Sequence, residues 1–402
     1  MAIEVGRFGG GWGEILELVG LSFAAPWNEA QLEAERKIWE PGRSLVATED
    51  GVIVGHTCAL SLDLTVPGAQ LPVAGVSMVG VLPTHRRRGV LRELMRRQLT
   101  DLYETGAEPV ASLTASEPAI YGRFGYGLAS EQFEVMVPKA ARALREVAGI
   151  DDVRISYADP MASLEVCTAL RNTLALDRPG MFQFDDRWKE HVIGETVVTD
   201  ASNASPMRCV VAKKDGETTG YAHYRTKRSD RNHVDVHRVH AKDLASHMAL
   251  WRFLLDQDLL THTFYGLLPC DDPLLTLLVD PRSPNAMLRD GHWVRVVDVG
   301  RALAGRTYAT EIDVVLAVED DLEWNAGSWH LTGGPQGATC EKTDRPADLR
   351  LGVRELGTVY LGRPSLERLR VAGLVEERTP GALRATSAAF LGNRLPWLDT
   401  GF

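Results

Sequence analysis

The feature that most constrains the fold is a valine-rich run that passes through three arginines and a glycine into an amphipathic pattern. Residues 73–83 have the sequence VAGVSMVGVLP, whose small and β-branched side chains are typical of a buried strand. From Gly89 onward, apolar side chains recur at helical spacing, with Leu91, Leu94 and Met95 on one stripe. A second strand pattern, PVASLTAS, follows. Strand, helix and strand in this order predict a right-handed parallel crossover.

The start of this helix pattern has the properties of an anion-binding site. A helix N-terminus presents about four backbone N–H groups without intrahelical partners, together with the positive end of the helix dipole. Gly89 lets an anion approach the backbone, and the arginines before it supply charge and forked donors. The sequence therefore predicts that Arg87, Arg88 and Gly89 hold a diphosphate. Three later arginines are expected to form a solvated face: Arg92, Arg96 and Arg97.

Composition limits the class of protein. A chain of 402 residues is too long for one ordinary core, and typical domain sizes give about two to three domains. The net charge of -10 argues against nucleic acid as the main partner and suits a cationic substrate. The five cysteines are scattered, so neither a disulfide framework nor a cysteine zinc site is expected. No signal peptide and no membrane span are recognised, so we expect a cytoplasmic protein.

Changes of pattern along the chain predict three domains. The segment VDVHRVHAKDLASHMALWRFLL repeats the order of strand, turn and helix without the arginine run and its glycine. This repeat indicates a second domain of the same fold that has lost the anion site. Beyond about residue 301, further strand and helix patterns indicate a small α+β domain ending in LPWLDTGF. The predicted domains are residues 1–148, 149–300 and 301–402.

Three segments together resemble a known family. GVSMVGVLPTHRRRGVLRELM, TASEPAIYGRFGYG and the terminal Phe402 resemble the enhanced-intracellular-survival (Eis) family of aminoglycoside N-acetyltransferases, within the GNAT superfamily. Arg86-x-x-Gly89 fits the general GNAT motif, whereas Leu91 departs from its last position as it does in other members of this family. The resemblance covers essentially the whole chain. It implies an α+β fold with two tandem GNAT-type acyltransferase domains, the second degenerate, and a C-terminal sterol-carrier-protein-like α+β domain.

The same resemblance implies roles for individual residues. Tyr121 is implied as the general acid, and the C-terminal carboxylate of Phe402 as the general base. Acetyl-CoA is the implied cosubstrate, and no metal is expected. The residues implied to bind acetyl-CoA are Val79, Gly80 and Val81 at the pantetheine arm, Arg87, Arg88, Gly89, Val90, Leu91 and Arg92 at the pyrophosphate, and Ser116 and Glu117 near the thioester.

Chemistry alone leaves several of these assignments open. A mostly protonated amine needs a base before it can attack a thioester, but Tyr126 is as plausible an acid as Tyr121. Phe402 would by default be a frayed terminus, although the apolar ending LPWLDTGF favours a docked tail. An acidic and aromatic set on the early helical segment suits a polycationic acceptor, and an ordinary amphipathic helix explains it equally well: Trp27, Glu29, Glu33, Glu35 and Trp39.

Other chemical patterns are interpreted as non-catalytic. His233, His237 and His240 suggest a metal cluster, but no H-E-x-x-H sequence occurs. We expect His233 and His237 on the exposed face of a surface strand. Ser77 lies in GVSMV, which lacks the last glycine of a G-x-S-x-G elbow, so a hydrolase of that kind is excluded. A nucleotide-triphosphatase phosphate loop is also excluded, because no G-x-x-x-x-G-K-[ST] sequence occurs.

The leading hypothesis is an acetyl-CoA-dependent N-acetyltransferase that acts on aminoglycosides or similar polyamines by direct attack on the thioester. One alternative is a protein lysine N-acetyltransferase, and another is a non-catalytic protein that binds lipid or CoA. The expected partners are acetyl-CoA and a cationic small-molecule amine, with no nucleic acid. The family resemblance also implies a homohexamer.

Overall fold

The computed structural model describes residues 3–24, 29–197, 203–228 and 231–402, and Trp27 lies outside these described residues. The chain divides into two compact units. Unit 1 is Met1–Ser130, Arg178–Gln183 and Gly291–Phe402, and unit 2 is Glu131–Asp177 and Phe184–Asp290.

The strands in chain order are β1 (Glu4–Arg7), β2 (Ser44–Glu49), β3 (Val52–Val66), β4 (Ala69–Val81), β5 (Val110–Thr114), β6 (Gly127–Leu128), β7 (Glu131–Pro138), β8 (Arg154–Ala158), β9 (Arg208–Lys214), β10 (Glu217–Lys227), β11 (His233–Ala241), β12 (His262–Pro269), β13 (Met287–Asp290), β14 (His292–Val296), β15 (Ile312–Glu319), β16 (Gly327–Gly334), β17 (Gly337–Lys342), β18 (Leu349–Gly352) and β19 (Val375–Glu377). The α-helices are α1 (Trp12–Phe23), α2 (Glu29–Ile38), α3 (Val90–Thr105), α4 (Pro118–Tyr121), α5 (Leu164–Ala175), α6 (Asp186–Val197), α7 (Leu244–Leu255), α8 (Pro273–Leu277), α9 (Val299–Ala304), α10 (Val353–Val359), α11 (Leu366–Val371) and α12 (Ala382–Phe390). Within the described residues, no helix combines the length and the apolar character needed to cross a bilayer.

The first sheet of unit 1 has the order β1-β2-β3-β4-β5-β14-β6. Strands β4 and β5 pair in parallel and are joined through α3, so the predicted parallel connection through a helix is confirmed. Their parallel pairing ends at Gly75 and Ser112. Beyond that point β4 has a bulge, at which Met78 adopts a φ of 52°. The last residues of β4 therefore pair with β3 alone, which leaves main-chain groups on their other side available to a ligand.

Sheet membership in the two units does not follow the order of the chain. Strand β14 enters the first sheet of unit 1 between β5 and β6, antiparallel to both. Strand β7 follows β6 in sequence, but it belongs to the sheet of unit 2 between β13 and β12. Trp293 of β14 packs in a buried cluster with Leu113 and Tyr126. The predicted domain boundaries at residues 148 and 300 stay predictions.

The C-terminal part of unit 1 has a five-stranded sheet of order β17-β16-β15-β18-β19. Helix α10 approaches the first sheet so closely that two glycines are required. A Cβ on Gly127 would lie 2.0 Å from the Arg354 main-chain oxygen, and one on Gly357 would lie 2.2 Å from that of Val294. This contact places the start of α10 beside the segment that carries Tyr121.

Unit 2 has the sheet β13-β7-β12-β11-β10-β9-β8, with β11 and β12 parallel and joined through α7. Helix α7 covers the valine face of β11, and α5 contacts β10 and β11. Val234 and Val236 lie in the core, but the face expected to be exposed is only half open, because His233 and His237 are half-buried and Asp235 between them is buried. Asp235 and His240 are only 6% and 4% exposed. Asp235 pairs with the Lys227 ammonium at 2.7 Å.

Candidate functional site

A cavity of about 1680 Å³ lies beside the end of β4 in unit 1. Its walls come from β4, the first half of α3, the segment around α4, and C-terminal residues near Asp320 and Arg354. Small-ligand pockets typically measure about 300–1,000 Å³, so this cavity suits an extended ligand. The predicted site residues that line it are Val79, Gly80, Val81, Arg87, Gly89, Val90, Leu91, Arg92, Ser116, Glu117 and Tyr121.

The anion end of the cavity is the N-terminus of α3. Gly89 precedes the helix with a φ of 87°, a conformation that glycine adopts without the strain of a Cβ. The helix continues for 16 residues, so its first turn presents unpaired N–H groups and the positive end of a full helix dipole. Arg86 donates to the main-chain oxygen of Ser22 at 2.9 Å, which holds the loop against α1. This geometry suits a phosphate group.

Arg88 differs from its neighbours because its guanidinium does not line the cavity. It pairs through both terminal nitrogens with the Glu49 carboxylate of β2, with Nη1 3.0 Å from Oε2. His85 Nε2 lies 3.0 Å from the same oxygen. The hydrogen bonds from Arg88, and then from His85, lower the pKa of Glu49. Arg88 therefore fastens the arginine loop to the sheet with its side chain.

The three arginines expected on a solvated face divide between two environments. Arg97 pairs with Asp101 at 2.7 Å, one helical turn away. Arg92 is 76% exposed in its side chain and also borders the cavity, as does Arg96. Arg96 was missed as a site residue because nothing in its local sequence separates it from Arg97.

Tyr121 and Tyr126 are distinguished by access to the cavity. Tyr121 lines the cavity wall, whereas Tyr126 is fully buried in the core and does not line it. Their rings meet edge to face, with centroids 6.0 Å apart. Burial, followed by the charge of Glu117, raises the pKa of Tyr121 to about 12. Its phenol is therefore protonated throughout the physiological pH range.

The C-terminal tail is docked, with Trp397, Leu398 and Asp399 buried. Trp397 N–H donates to the Pro179 main-chain oxygen at 2.9 Å. A main-chain oxygen of Phe402 accepts a hydrogen bond from Thr114 Oγ1 at 3.0 Å, at the end of β5.

The Phe402 ring lies where the pairing of β4 and β5 ends. A Cβ on Gly75 would lie 3.2 Å from Phe402 Cε2. Ser116, two residues beyond Thr114, already lines the cavity. Phe402 itself does not line the cavity and is half-buried, and its main-chain oxygen is held by Thr114 at the end of β5.

Two buried histidines support these strands, and no sequence motif indicates either of them. His292 of β14 donates from Nε2 to the Gly180 oxygen and accepts at Nδ1 from Ser112, both at 2.6 Å. His56 of β3 contacts the Met78 main-chain oxygen through Nδ1 at 2.9 Å, directly at the β4 bulge. Burial lowers the pKa of each to about 4. Both are therefore neutral at pH 7 and position the backbone.

A buried ion pair at the cavity wall was also missed. Arg295 of β14 and Asp320 are only 1% and 4% exposed in their side chains and approach to 2.7 Å. Among the described residues, Nε and Nη1 of Arg295 have no hydrogen-bond partner. Arg354 completes this wall. These residues come from distant parts of the sequence without a local motif, so only the fold brings them together.

The residues left open as acceptor contacts do not line this cavity where they are described. Glu33 of α2 pairs with Arg36 at 3.3 Å. Trp39 donates from Nε1 to Ser44 Oγ at 2.9 Å, and its ring packs on Trp12. Glu29 and Glu35 are likewise absent from the cavity wall formed by the described residues.

Comparison with known proteins matches three segments of the chain to family models. Two family models described as Acetyltransferase (GNAT) domain match residues 10–129 and 180–296. A model described as Sterol carrier protein domain matches residues 299–399.

Two relatives and a solved structure are also similar to this chain over most of its length. An uncharacterized N-acetyltransferase of Streptomyces avermitilis is 45% identical over 384 residues, which cover 93% of each chain. N-acetyltransferase Eis of Mycobacterium tuberculosis is 32% identical over 369 residues, 87% of each chain. The crystal structure of Eis1 from Mycobacterium abscessus superposes with a TM-score of 0.84 at 32% identity, covering 99% of this chain and 100% of that one.

Proposed function

Because the chain belongs to the Eis family of GNAT N-acetyltransferases, we propose that it transfers acetyl groups to the amines of aminoglycosides or similar polyamines. The comparisons confirm an N-acetyltransferase with two GNAT domains and a C-terminal sterol-carrier-protein-like domain. The GNAT fold implies acetyl-CoA as the acyl donor. The net charge of -10 supports a cationic acceptor, because an acidic protein attracts polyamines.

We propose that acetyl-CoA occupies the cavity beside β4. The unpaired side of Val79, Gly80 and Val81 suits the amides of a pantetheine arm, since these residues line the cavity beyond the point where β5 ceases to pair. The N-terminus of α3, with Gly89, Arg87 and Arg92, suits the pyrophosphate. In this arrangement Arg88 contributes through its main chain, because its guanidinium is held by Glu49.

Phe402 is the proposed general base. The carboxylate of a C-terminal residue docked at Thr114 attracts a protonated amine and accepts its proton, which frees the nitrogen lone pair that then attacks the thioester carbon. The position of Phe402 where the pairing of β4 and β5 ends supports this role. The thioester of an acetyl-CoA whose pantetheine arm follows β4 would lie close to that point. His292 is the nearby alternative base, but its lowered pKa of about 4 and its two hydrogen bonds disfavour it.

Tyr121 is the proposed general acid, and its exposure to the cavity is the observation that carries the proposal. Its pKa of about 12 exceeds the thiol value of about 8.5, so proton donation to a thiolate is uphill by about 5 kcal/mol. That difference is well below the barrier of about 17 kcal/mol that corresponds to one turnover per second. The buried phenol therefore suits donation that is coupled to departure of the thiolate.

The first test compares Tyr121→Phe with Tyr126→Phe. Each change removes one hydroxyl from a neighbouring ring. Loss of a general acid lowers kcat by about 10²–10⁴-fold, so we expect this fall in Tyr121→Phe with unchanged acetyl-CoA binding. Tyr126→Phe should retain kcat, because its hydroxyl does not reach the cavity. Equal losses in the two variants would contradict the assignment of the acid.

The acceptor is tested by following free CoA thiol with acetyl-CoA and a panel of aminoglycosides and linear polyamines. A variant that lacks only Phe402 should bind acetyl-CoA and lose turnover. Absence of turnover with every polyamine, combined with site-specific lysine acetylation of added proteins, would replace the proposed acceptor by a protein. We also propose the homohexamer that the family resemblance implies, and a monomer mass by light scattering would contradict it.

A further inference from the structure

Three buried side chains with metal-binding atoms meet in unit 2, whereas the proposed catalytic residues belong to unit 1. Cys167 lies on α5, Cys209 on β9 and His223 on β10. Cys209 and His223 are direct partners in the antiparallel ladder of β9 and β10. The candidate ligand atoms of all three lie within 4.8 Å of one another. The fold thus assembles a compact set of two sulfurs and one imidazole.

The surroundings of this cluster leave the imidazole unsatisfied. His223 is 2% exposed, and neither of its ring nitrogens has a hydrogen-bond partner among the described residues. Cys209 Sγ accepts a weak contact from Ser163 Oγ at 3.5 Å and also interacts with the Cys167 thiol and the His223 ring. The remaining neighbours include the apolar Leu170 and Val211. An unpaired polar group in such a place is unfavourable, and a bound ligand would remove that penalty.

We propose that Cys167, Cys209 and His223 form a binding site for Zn²⁺. Sulfur and imidazole are preferred zinc ligands, whereas Mg²⁺ and Ca²⁺ require oxygen ligands that these three residues do not offer. Two thiolates balance the charge of a divalent ion, so the complex is neutral in its apolar enclosure. A monovalent thiophilic ion would leave a net negative charge there.

Binding of the ion proceeds without any redox step. Two S–H bonds are broken, two Zn–S bonds and one Zn–N bond form, and two protons are released to solvent. Ser163, whose hydroxyl contacts Cys209, or a water molecule completes the coordination. The site joins α5 to the β9 and β10 strands, so its role is structural and does not depend on acetyl transfer.

The spacing of the cysteines explains why the sequence predicts no metal site. The ligands are far apart in the chain and fit no C-x-x-C or H-E-x-x-H pattern. They come together because β9 and β10 form a hairpin and α5 packs on it. The proposal thus differs from the expectation that no metal site is present, which rested on the spacing of the cysteines along the chain.

The test uses the full chain, reduced and freed of metal with a chelator. Cobalt(II) serves as a coloured substitute, and Zn²⁺ is then added to displace it. We expect one cobalt per chain with a thiolate-to-metal absorption band, which Zn²⁺ abolishes. Cys209→Ser and Cys167→Ser should each weaken binding by at least about tenfold. Cys340→Ser is the matched control, because Cys340 is buried in unit 1 outside the cluster.

Circular dichroism and a retained calorimetric transition of unit 2 show whether each variant is folded. If a cysteine variant does not fold, His223→Asn provides the same comparison. The proposal is overturned if the reduced protein gives no thiolate band, or if the cluster variants bind cobalt as tightly as Cys340→Ser does. A Cys167–Cys209 disulfide that persists under reducing conditions would also overturn it, because the two sulfurs would then be bonded to each other and could not bind a metal as thiolates.

Discussion

The buried ion pair at the cavity wall gives a stability prediction with a matched control. Asp320 accepts from Arg295 Nη2 at 2.7 Å and also from Asn325 Nδ2 at 3.1 Å and Leu322 N–H at 3.2 Å. Asp320→Ala removes all of these acceptors. It leaves a guanidinium that is 1% exposed without its counterion. Glu319→Ala is the control, because Glu319 pairs with Arg350 on an exposed surface.

The expected magnitude follows from burial. Removing one partner of a buried pair costs about 3–5 kcal/mol, whereas an exposed pair contributes about 0–1 kcal/mol. Unfolding entropy is about 2.1 cal/mol/K per residue near the transition, and for a unit of about 250 residues this gives roughly 0.5 kcal/mol per degree. Asp320→Ala should therefore lower the Tm of unit 1 by roughly 6–10 °C, and Glu319→Ala by less than about 2 °C.

The assay is differential scanning calorimetry, because the two units need not melt together. Acetyl-CoA is added in a second scan to identify the transition of unit 1, since a ligand raises the Tm of the unit that binds it. Equal shifts of less than about 2 °C in both variants would refute the reasoning, because the Arg295 charge would then have found water or another partner.

Three further predictions concern pH, the tail and the anion loop. Burial holds the pKa of His292 at about 4 in the folded state. Between about pH 6.5 and pH 4, the histidine is therefore protonated in the unfolded chain and neutral in the folded one. The contribution of His292 to stability should fall by about 3 kcal/mol as the pH drops from about 6.5 to about 4, and urea unfolding of His292→Asn should show a fall smaller by about that amount, with the part due to His56 retained. Thr114→Val removes the hydrogen bond to Phe402, worth about 1 kcal/mol, and should lower kcat/KM about fivefold at unchanged acetyl-CoA affinity; unchanged steady-state kinetics would contradict this. Gly89→Ala places a Cβ where an anion approaches the helix N-terminus and should weaken acetyl-CoA binding about tenfold by calorimetry, whereas Gly373→Ala, at a φ of 76° but outside the cavity wall, should not.

The sequence predicts best those parts whose signals are local. The strand, arginine loop and helix through Gly89 are encoded by adjacent residues, and α3 begins at Val90 as expected. The parallel pairing of β4 and β5 follows from the same segment. The docked tail was indicated by its apolar residues, and Trp397 and Leu398 are indeed buried.

Features that depend on distant contacts could not be predicted. Tyr121 and Tyr126 are chemically equal in the sequence, and only tertiary packing closes off one of them. Arg295 meets Asp320 because β14 joins the first sheet. The alternating histidines of β11 predicted an exposed face, but α5 contacts that strand. Each case requires knowledge of which segment packs against which.

The place of β14 in the first sheet has a consequence for how the protein is made. A ribosome delivers β5 and β6 long before residues 292–296, so this sheet lacks an interior strand during much of synthesis. Until β14 arrives, Leu113 of β5 has neither its Trp293 partner nor a covered edge. A fragment ending near residue 148 would retain the whole arginine loop and still present an open, aggregation-prone edge. The first sheet is therefore complete only after residues 292–296 have been synthesised.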